Sequence, residues 1–247
     1  MLMGDPLGSF YGYRYKGVYQ NVEETYAVDK TGQQIMDING APVVVKNGDQ
    51  KVYPGDAKYE DVNGDGVIDE NDIVYLGNSN PTLTGGLNFT LRYKKLSLVA
   101  ALHGRAGQKV INESRINMEN MYGKNNQSVA VLRRWRSEGD NTDIPRALYD
   151  KGYNYLGSDR FVEDASFLRL KTITLKYQFP ENWMKPLGIN KLEIYATGYD
   201  LFVWTKYTGQ DPEINLKNPD GSAAQVAIDS NNTPKAMRFA FGLNLRF

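Results

Sequence analysis

From Met237 to Phe247 the chain alternates without exception, with Phe239, Phe241, Leu243, Leu245 and Phe247 on one side and Arg238, Ala240, Gly242, Asn244 and Arg246 on the other. Successive side chains of a β-strand point to opposite faces, so this run demands an apolar neighbour on one side only. Five apolar residues on one side also match the ~9–11 tilted residues that take a strand across a hydrocarbon layer.

The pattern recurs upstream. Leu87, Phe89, Leu91 and Tyr93 alternate with Asn88, Thr90 and Arg92, and after Lys94-Lys95 the run resumes with Leu96, Leu98, Ala100 and Leu102. A further strand spans about Ala165 to Phe179, with Ile173, Leu175, Tyr177 and Phe179 in phase. Leu168 and Leu170 precede them out of phase, which predicts a bulge near Lys171. Lys191 to about Trp204 continues, and Phe10 to Gln20, rich in Tyr and Gly, reads as a first strand, making about six.

The connections are unequal. Some sixty residues separate the first two strands, about fifty-five the third and fourth, and about thirty the last two, whereas the remaining links are short turns. Compact soluble domains seldom use several loops that long. Tight turns at one end and long loops at the other are the layout of an up-and-down transmembrane β-barrel, with short periplasmic turns and long external loops. A β-sandwich also alternates, and the loop asymmetry separates the two readings. The expected class is therefore all-β, an antiparallel barrel segment. Barrels need ~8 strands at least, and six would leave two open edges. The start, Met-Leu-Met-Gly-Asp-Pro, has no basic n-region and no apolar h-region of an export signal. Both features lead to the expectation that the chain is a fragment.

Composition excludes more than it assigns. There are 29 basic and 29 acidic residues, so no net field draws in nucleic acid. No run of 18 apolar residues exists, which removes a spanning helix and leaves a barrel open. With no cysteine and one histidine, His103, a zinc centre or a Ser-His-Asp triad lacks material. Asp159, Glu163 and Asp164 are the material for a carboxylate hydrolase, but such pairs need a spatial separation that sequence does not supply, so no catalysis is assigned.

One segment carries a chemical motif. Asp61-Val-Asn63-Gly-Asp65-Gly66-Val67-Ile68-Asp69-Glu-Asn-Asp72 fits the D-x-N-x-D-G-x-I-x-x-x-D spacing of a Ca²⁺ loop. Asp61, Asn63 and Asp65 would converge, Gly66 allow the sharp turn, Val67 offer its carbonyl, Asp69 act through water, and Asp72 close the set. Ile68 would anchor the loop on apolar neighbours. Residues 54–77 are thus expected to form a calcium-bearing external loop. Tyr153, Tyr155, Trp204 and Tyr207 are candidates for stacking on a sugar or other substrate. A soluble, calcium-stabilised β-domain that binds carbohydrate is the rival these residues leave open.

Several runs resemble one family. They are Gly8-Ser-Phe-Tyr-Gly-Tyr13, Pro54-Gly-Asp56 leading into the acidic loop, Val162-Glu-Asp-Ala-Ser-Phe-Leu-Arg-Leu-Lys171, and Leu201-Phe-Val-Trp-Thr-Lys-Tyr-Thr-Gly209 with Asp211-Pro-Glu213. Together they resemble the C-terminal region of SusC/RagA-type TonB-dependent outer-membrane transporters of Bacteroidetes. The resemblance implies a 22-stranded barrel, an N-terminal plug that engages the TonB complex, a SusD-like surface lipoprotein as partner, and uptake of glycans or peptides rather than enzymatic activity. Gly242, Leu245 and Phe247 resemble the C-terminal signal read by the barrel-assembly machinery.

Overall fold

The computed structural model describes residues 4–214, 227–231 and 233–247. Residues 1–3, on which the reading of the chain's start partly rests, lie outside the described residues. Two compact units form. One comprises Met1–Ser79, Val110–Glu163 and Leu216–Asn231, the other Asn80–Lys109, Asp164–Asn215 and Asn232–Phe247.

The second unit is a five-stranded antiparallel sheet of β1 (Leu83–Tyr93), β2 (Leu96–Ala106), β3 (Phe167–Gln178), β4 (Lys191–Thr205) and β5 (Arg238–Arg246). Neighbours in sequence are neighbours in the sheet, so the order is a plain meander. The β1–β2 link is a two-residue turn in which Lys94 takes φ 53°. The β3–β4 link carries a short helical turn closed by Gly188 at φ 70°. At the other end the connections are long.

Register turns the sequence alternation into continuous rows. Leu91, Leu98, Leu175, Ala196 and Phe241 form one, and Tyr93, Leu96, Tyr177, Ile194 and Leu243 the next. The opposite face carries Thr90, Val99, Thr174, Thr197 and Ala240, with the Thr174 and Thr197 hydroxyls hydrogen-bonded at 2.9 Å. The sheet thus has an apolar and a polar face, and a one-residue slip would exchange them. The predicted bulge is present: the register shifts between Leu170 and Thr172 against both neighbouring strands. On β4 it is matched by Asp200, a non-glycine residue in the left-handed region at φ 51°. Leu168 and Leu170 thereby share the apolar face with Ile173 and Leu175.

The first expected strand is not part of this sheet. Phe10 to Gln20 yields two short strands, Ser9–Gly12 and Tyr15–Val18, paired with Val74–Asn78 and Ala57–Tyr59 in the other unit. The registers break at Phe10/Tyr11 and Tyr15/Gly17, and Gly17 sits at φ 107°. A membrane-length strand needs an unbroken pleat, and this stretch lacks one. Among the described residues the sheet therefore has five strands rather than about six. The end of β5 still lies at the short-turn end, where Arg246 pairs with Lys191.

The first unit has an ordinary core. Tyr19, Ala27, Val45, Val52, Ala57, Tyr59 and Ile68 are buried together, with Tyr13, Tyr15 and Ile35 packed against them. No helix among the described residues is long and apolar enough to cross a membrane.

Candidate functional sites

The acidic loop lies in the first unit. Asp61 accepts hydrogen bonds from the Gly64 N–H (2.6 Å) and the Gly66 N–H (2.7 Å). Asp65 accepts from the Val67 N–H (2.8 Å) and the Asn63 amide (2.7 Å). Asp72 is fully buried and accepts from the Val62 N–H (2.7 Å) and the Asp69 N–H (3.0 Å), closing the loop on itself. Gly64 and Gly66 take φ 71° and 83°, and a Cβ on Gly66 would stand 2.8 Å from that of Ala27, so the sharp turn at this position requires glycine. Val67–Ile68 pairs with Lys46–Asn47, and Ile68 is 3% exposed in the core, as the anchor expected of it.

The partners of these carboxylates are backbone N–H groups and Asn amides, none of which carries a charge. Their field reaches the core, where burial first, and then the charges of Asp72, Asp69 and Glu70, raise the Tyr13 hydroxyl above its usual pKa. Asp65 and Asp69 accept one hydrogen bond per oxygen and keep further lone pairs for a cation, whereas one oxygen of Asp61 also takes the Asp65 N–H at 3.3 Å and one of Asp72 the Asn63 N–H at 3.4 Å. No three acidic or histidine side chains among the described residues gather closely enough to hold an ion by themselves. The Asn63 amide oxygen accepts from the Asp65 N–H at 3.0 Å.

In the same unit, Asp56 is fully buried and takes a two-pronged bond from Arg146 (2.7 and 3.1 Å), plus bonds from the Tyr53 N–H (2.8 Å) and the Asn154 amide (3.2 Å). In the same unit Arg160 pairs with Glu119 at 2.9 Å and lies over the rings of Tyr15, Tyr155 and Phe161.

In the sheet unit, a second charged cluster ties Asp211 and Glu213 to β3. Arg169, 3% exposed, pairs with Asp211 and with Glu213 (3.2 Å), and Lys171 reaches Glu213 at 2.9 Å. Lys235 also binds Glu213, and Asp200 stands between Lys171 and Arg238 at 3.8 and 3.9 Å. Burial alone would raise the Glu213 carboxyl, but hydrogen bonds and charges from Lys235 and Lys171 outweigh it and hold the pKa at about 2. Sequence reading passed over this cluster. Its one local signal is a pair of cations, Arg169 and, at the bulge itself, Lys171, among Phe167, Leu168 and Leu170.

The four aromatic candidates fall in different units. Tyr153 and Tyr155 belong to the first. Tyr155 is packed against Phe161, and burial raises its hydroxyl pKa. Tyr153 stands near Arg146 and Asp56, and burial likewise raises its hydroxyl. Trp204 and Tyr207 belong to the second. Trp204 stacks on Phe202 with ring centres 6.1 Å apart and is exposed on the apolar face, whereas Tyr207 is buried. At the end of the chain, a Cβ on Gly242 would run into the Tyr195 ring on β4, and Leu245 and Phe247 are exposed on the apolar side.

Comparison with known proteins places these features in context. No family model matches the chain. It is 32% identical over 252 residues to TonB-dependent receptor P26 and 30% identical over 249 to TonB-dependent receptor P3, both of Formosa agariphila. It is 29% identical over 217 residues to TonB-dependent receptor SusC of Bacteroides thetaiotaomicron. These matches cover 100%, 99% and 87% of the chain but only 23%, 22% and 19% of the respective relatives, so the chain spans under a quarter of their length. Among solved structures, the RagAB peptide transporter matches with TM-score 0.64 and 23% identity, over 99% of this chain and 24% of that one. The closed-closed state of the RagAB peptide importer gives TM-score 0.63. These relatives are transporters and receptors, not enzymes.

Proposed function

The chain belongs to the SusC/RagA-type TonB-dependent receptors, a family of the outer membrane, and on that premise we propose that its sheet is a stretch of barrel wall in a nutrient importer. The observation that carries this reading is the exposed apolar face. From Leu96 to Ala106 on β2, which pairs with β1 without a break in register, is ten residue steps. At ~3.3 Å per residue and a tilt of ~40°, they rise about 25 Å, the height of the apolar band of an outer-membrane barrel. Tyr93 and Tyr177 border the band at the short-turn end and Phe202 and Trp204 at the other, where aromatic girdles belong.

In this reading the short turns face the periplasm and the long connections form external loops. The whole receptor takes up glycans or peptides, energised by TonB through a plug, with a SusD-like lipoprotein on its outer side. The acidic loop holds Ca²⁺ through Asp61, Asn63, Asp65, the Val67 carbonyl, Asp69 and Asp72, and the ion stiffens the external part. The membrane reading is tested in the full-length receptor with Phe239→Arg, in the middle row of the band with Phe89, Ala100, Ile173 and Gly198, and its neighbour Ala240→Arg on the polar face. Arginine on the lipid face near the midplane costs ~2–4 kcal/mol, whereas lumen-facing substitutions carry no such penalty. Phe239→Arg should therefore lower folded outer-membrane yield and Ala240→Arg should not. Equal effects of the two would defeat the assignment of faces.

A further inference from the structure

On the polar face, toward the Lys94-Lys95 turn, the sheet encloses a recess of about 370 Å³. Its floor is set by register. Arg92 stands opposite Ser97, and Ser97 opposite Lys176, so a hydroxyl residue lies between two cationic ones on three adjacent strands. Strands are spaced ~4.8 Å apart, which puts the Arg92 and Lys176 backbones roughly 10 Å from each other, a gap that one oxyanion over Ser97 would fill. Lys95 and Lys191 bring the lining to four cations, while the ammonium of Lys94, at the rim, lies over the Tyr93 ring, 5.4 Å from its centre.

Glu193 is the one carboxylate in that lining, and it is already engaged by the Asn244 amide at 3.1 Å and by Lys191 at 3.4 Å. Arg92, Lys95 and Lys176 have no ion pair among the described residues. Four positive charges less one negative leave the recess at +3. Like charges gathered on one face repel, and an anion among them relieves that repulsion. An arginine fork, lysine ammonium groups and a serine hydroxyl form a donor set matched to phosphate, sulfate or carboxylate oxygens. The two apolar recesses of the sheet, around Leu175 and Phe241 and around Leu87 and Leu168, have no such set.

We infer that this recess binds a small solute carrying one or more oxyanion groups, held over Ser97 between Arg92 and Lys176. The inference rests on the register and charge of the sheet and stands whether or not the glycan or peptide assignment holds.

The test is calorimetric titration of the full-length receptor in detergent with sodium pyrophosphate at low ionic strength, where such contacts are least screened. Saturable binding is expected, weakened at least ~10-fold by Arg92→Gln/Lys176→Gln and a few-fold by Ser97→Ala, and kept within ~2-fold by Lys176→Arg. The control Lys109→Gln/Lys206→Gln removes two charges outside the recess and should leave the affinity unchanged. If the double variant does not assemble, Ser97→Ala and Lys176→Arg carry the test. Absence of saturable heat with the unmodified receptor overturns the inference, as it would if a protein segment filled the recess. An equal loss in the control also overturns it, because binding would then follow net charge alone.

Discussion

Leu91, Phe241 and Leu243 of the sheet are 61%, 80% and 60% exposed, whereas Tyr19, Tyr59 and Ile68 of the other unit are all within 4% of complete burial. Both regions are built from strands rich in aromatic and branched residues. What differs is the solvent each is made for. The loop-built unit hides its apolar side chains from water, and the sheet turns its own outward, keeping its most buried charges, Arg169 and Asp211, on the other side. Hydropathy averaged over such a chain is middling, because the two arrangements draw on the same residue types in opposite senses.

The sharpest way to break the comparison is to remove the buried charge from the sheet. Arg169→Leu strands Asp211 without its main partner, and losing one member of a buried pair costs ~3–5 kcal/mol. Denaturant unfolding of the full-length receptor in detergent should register that loss. Arg169→Lys should restore only part of it, because a point charge cannot serve both carboxylates as the guanidinium does.

Next in size is the metal. If the acidic loop binds Ca²⁺ with a Kd of ~10⁻⁴ M, 10 mM Ca²⁺ stabilises the unit that carries it by ~2.7 kcal/mol. Thermal unfolding with and without chelator should resolve this as a shift in the loop-built unit alone. Asp61→Ala/Asp65→Ala should abolish both the shift and the heat of titration, and equal heats from variant and parent would end the calcium assignment.

A smaller effect is expected of Gly66→Ala. Left-handed backbone costs ~1–2 kcal/mol for a residue with a Cβ, and here that carbon also meets Ala27. The Tm should fall by a few degrees in the loop-built unit, with the sheet unmoved.

The smallest effect is that of pH. The Glu213 carboxyl is held at about 2, below its ordinary 4.5. Its contribution is therefore present above 4.5 and is lost as the pH falls from there through 2. The denaturant midpoint should be flat between pH 7 and 5 and fall below 4.5, and Glu213→Gln should flatten that decline.

What could be read from the sequence follows from range. Alternation is a local property, so β1 to β5 and the phase jump at Lys171 were visible, and a calcium-loop spacing is local as well. Phe10 to Gln20 misled because its composition is that of a strand, while the breaks that cut it in two depend on partners around Ala57 and Val74. The ion pairs were hidden for the same reason. Arg169 and Lys171 meet Asp211 and Glu213 across 42 residues, and Asp56 meets Arg146 across 90. Nothing in the neighbourhood of Asp56 announces that its counter-charge is so far away.

The extra residue at Lys171 has a consequence for how this chain can vary. It acts as a parity marker in β3. Leu170 and Thr172 stand opposite neighbouring residues of β2, Leu102 and Ala101, so the pleat passes over Lys171. Remove that residue alone and the alternation runs unbroken, with Leu168 and Leu170 still on the apolar side and Arg169 on the polar side. Straighten the strand with Lys171 kept, and both leucines turn toward the polar side while Arg169 turns toward the hydrocarbon. Substitutions along the strand alter one contact at a time, but a change of length away from the bulge inverts a whole stretch. Lineages carrying this sheet should therefore differ freely in residue type along β3, and lose a residue at 171 before any other position in it. A single-residue deletion at 171 should be less damaging than one at Ile173.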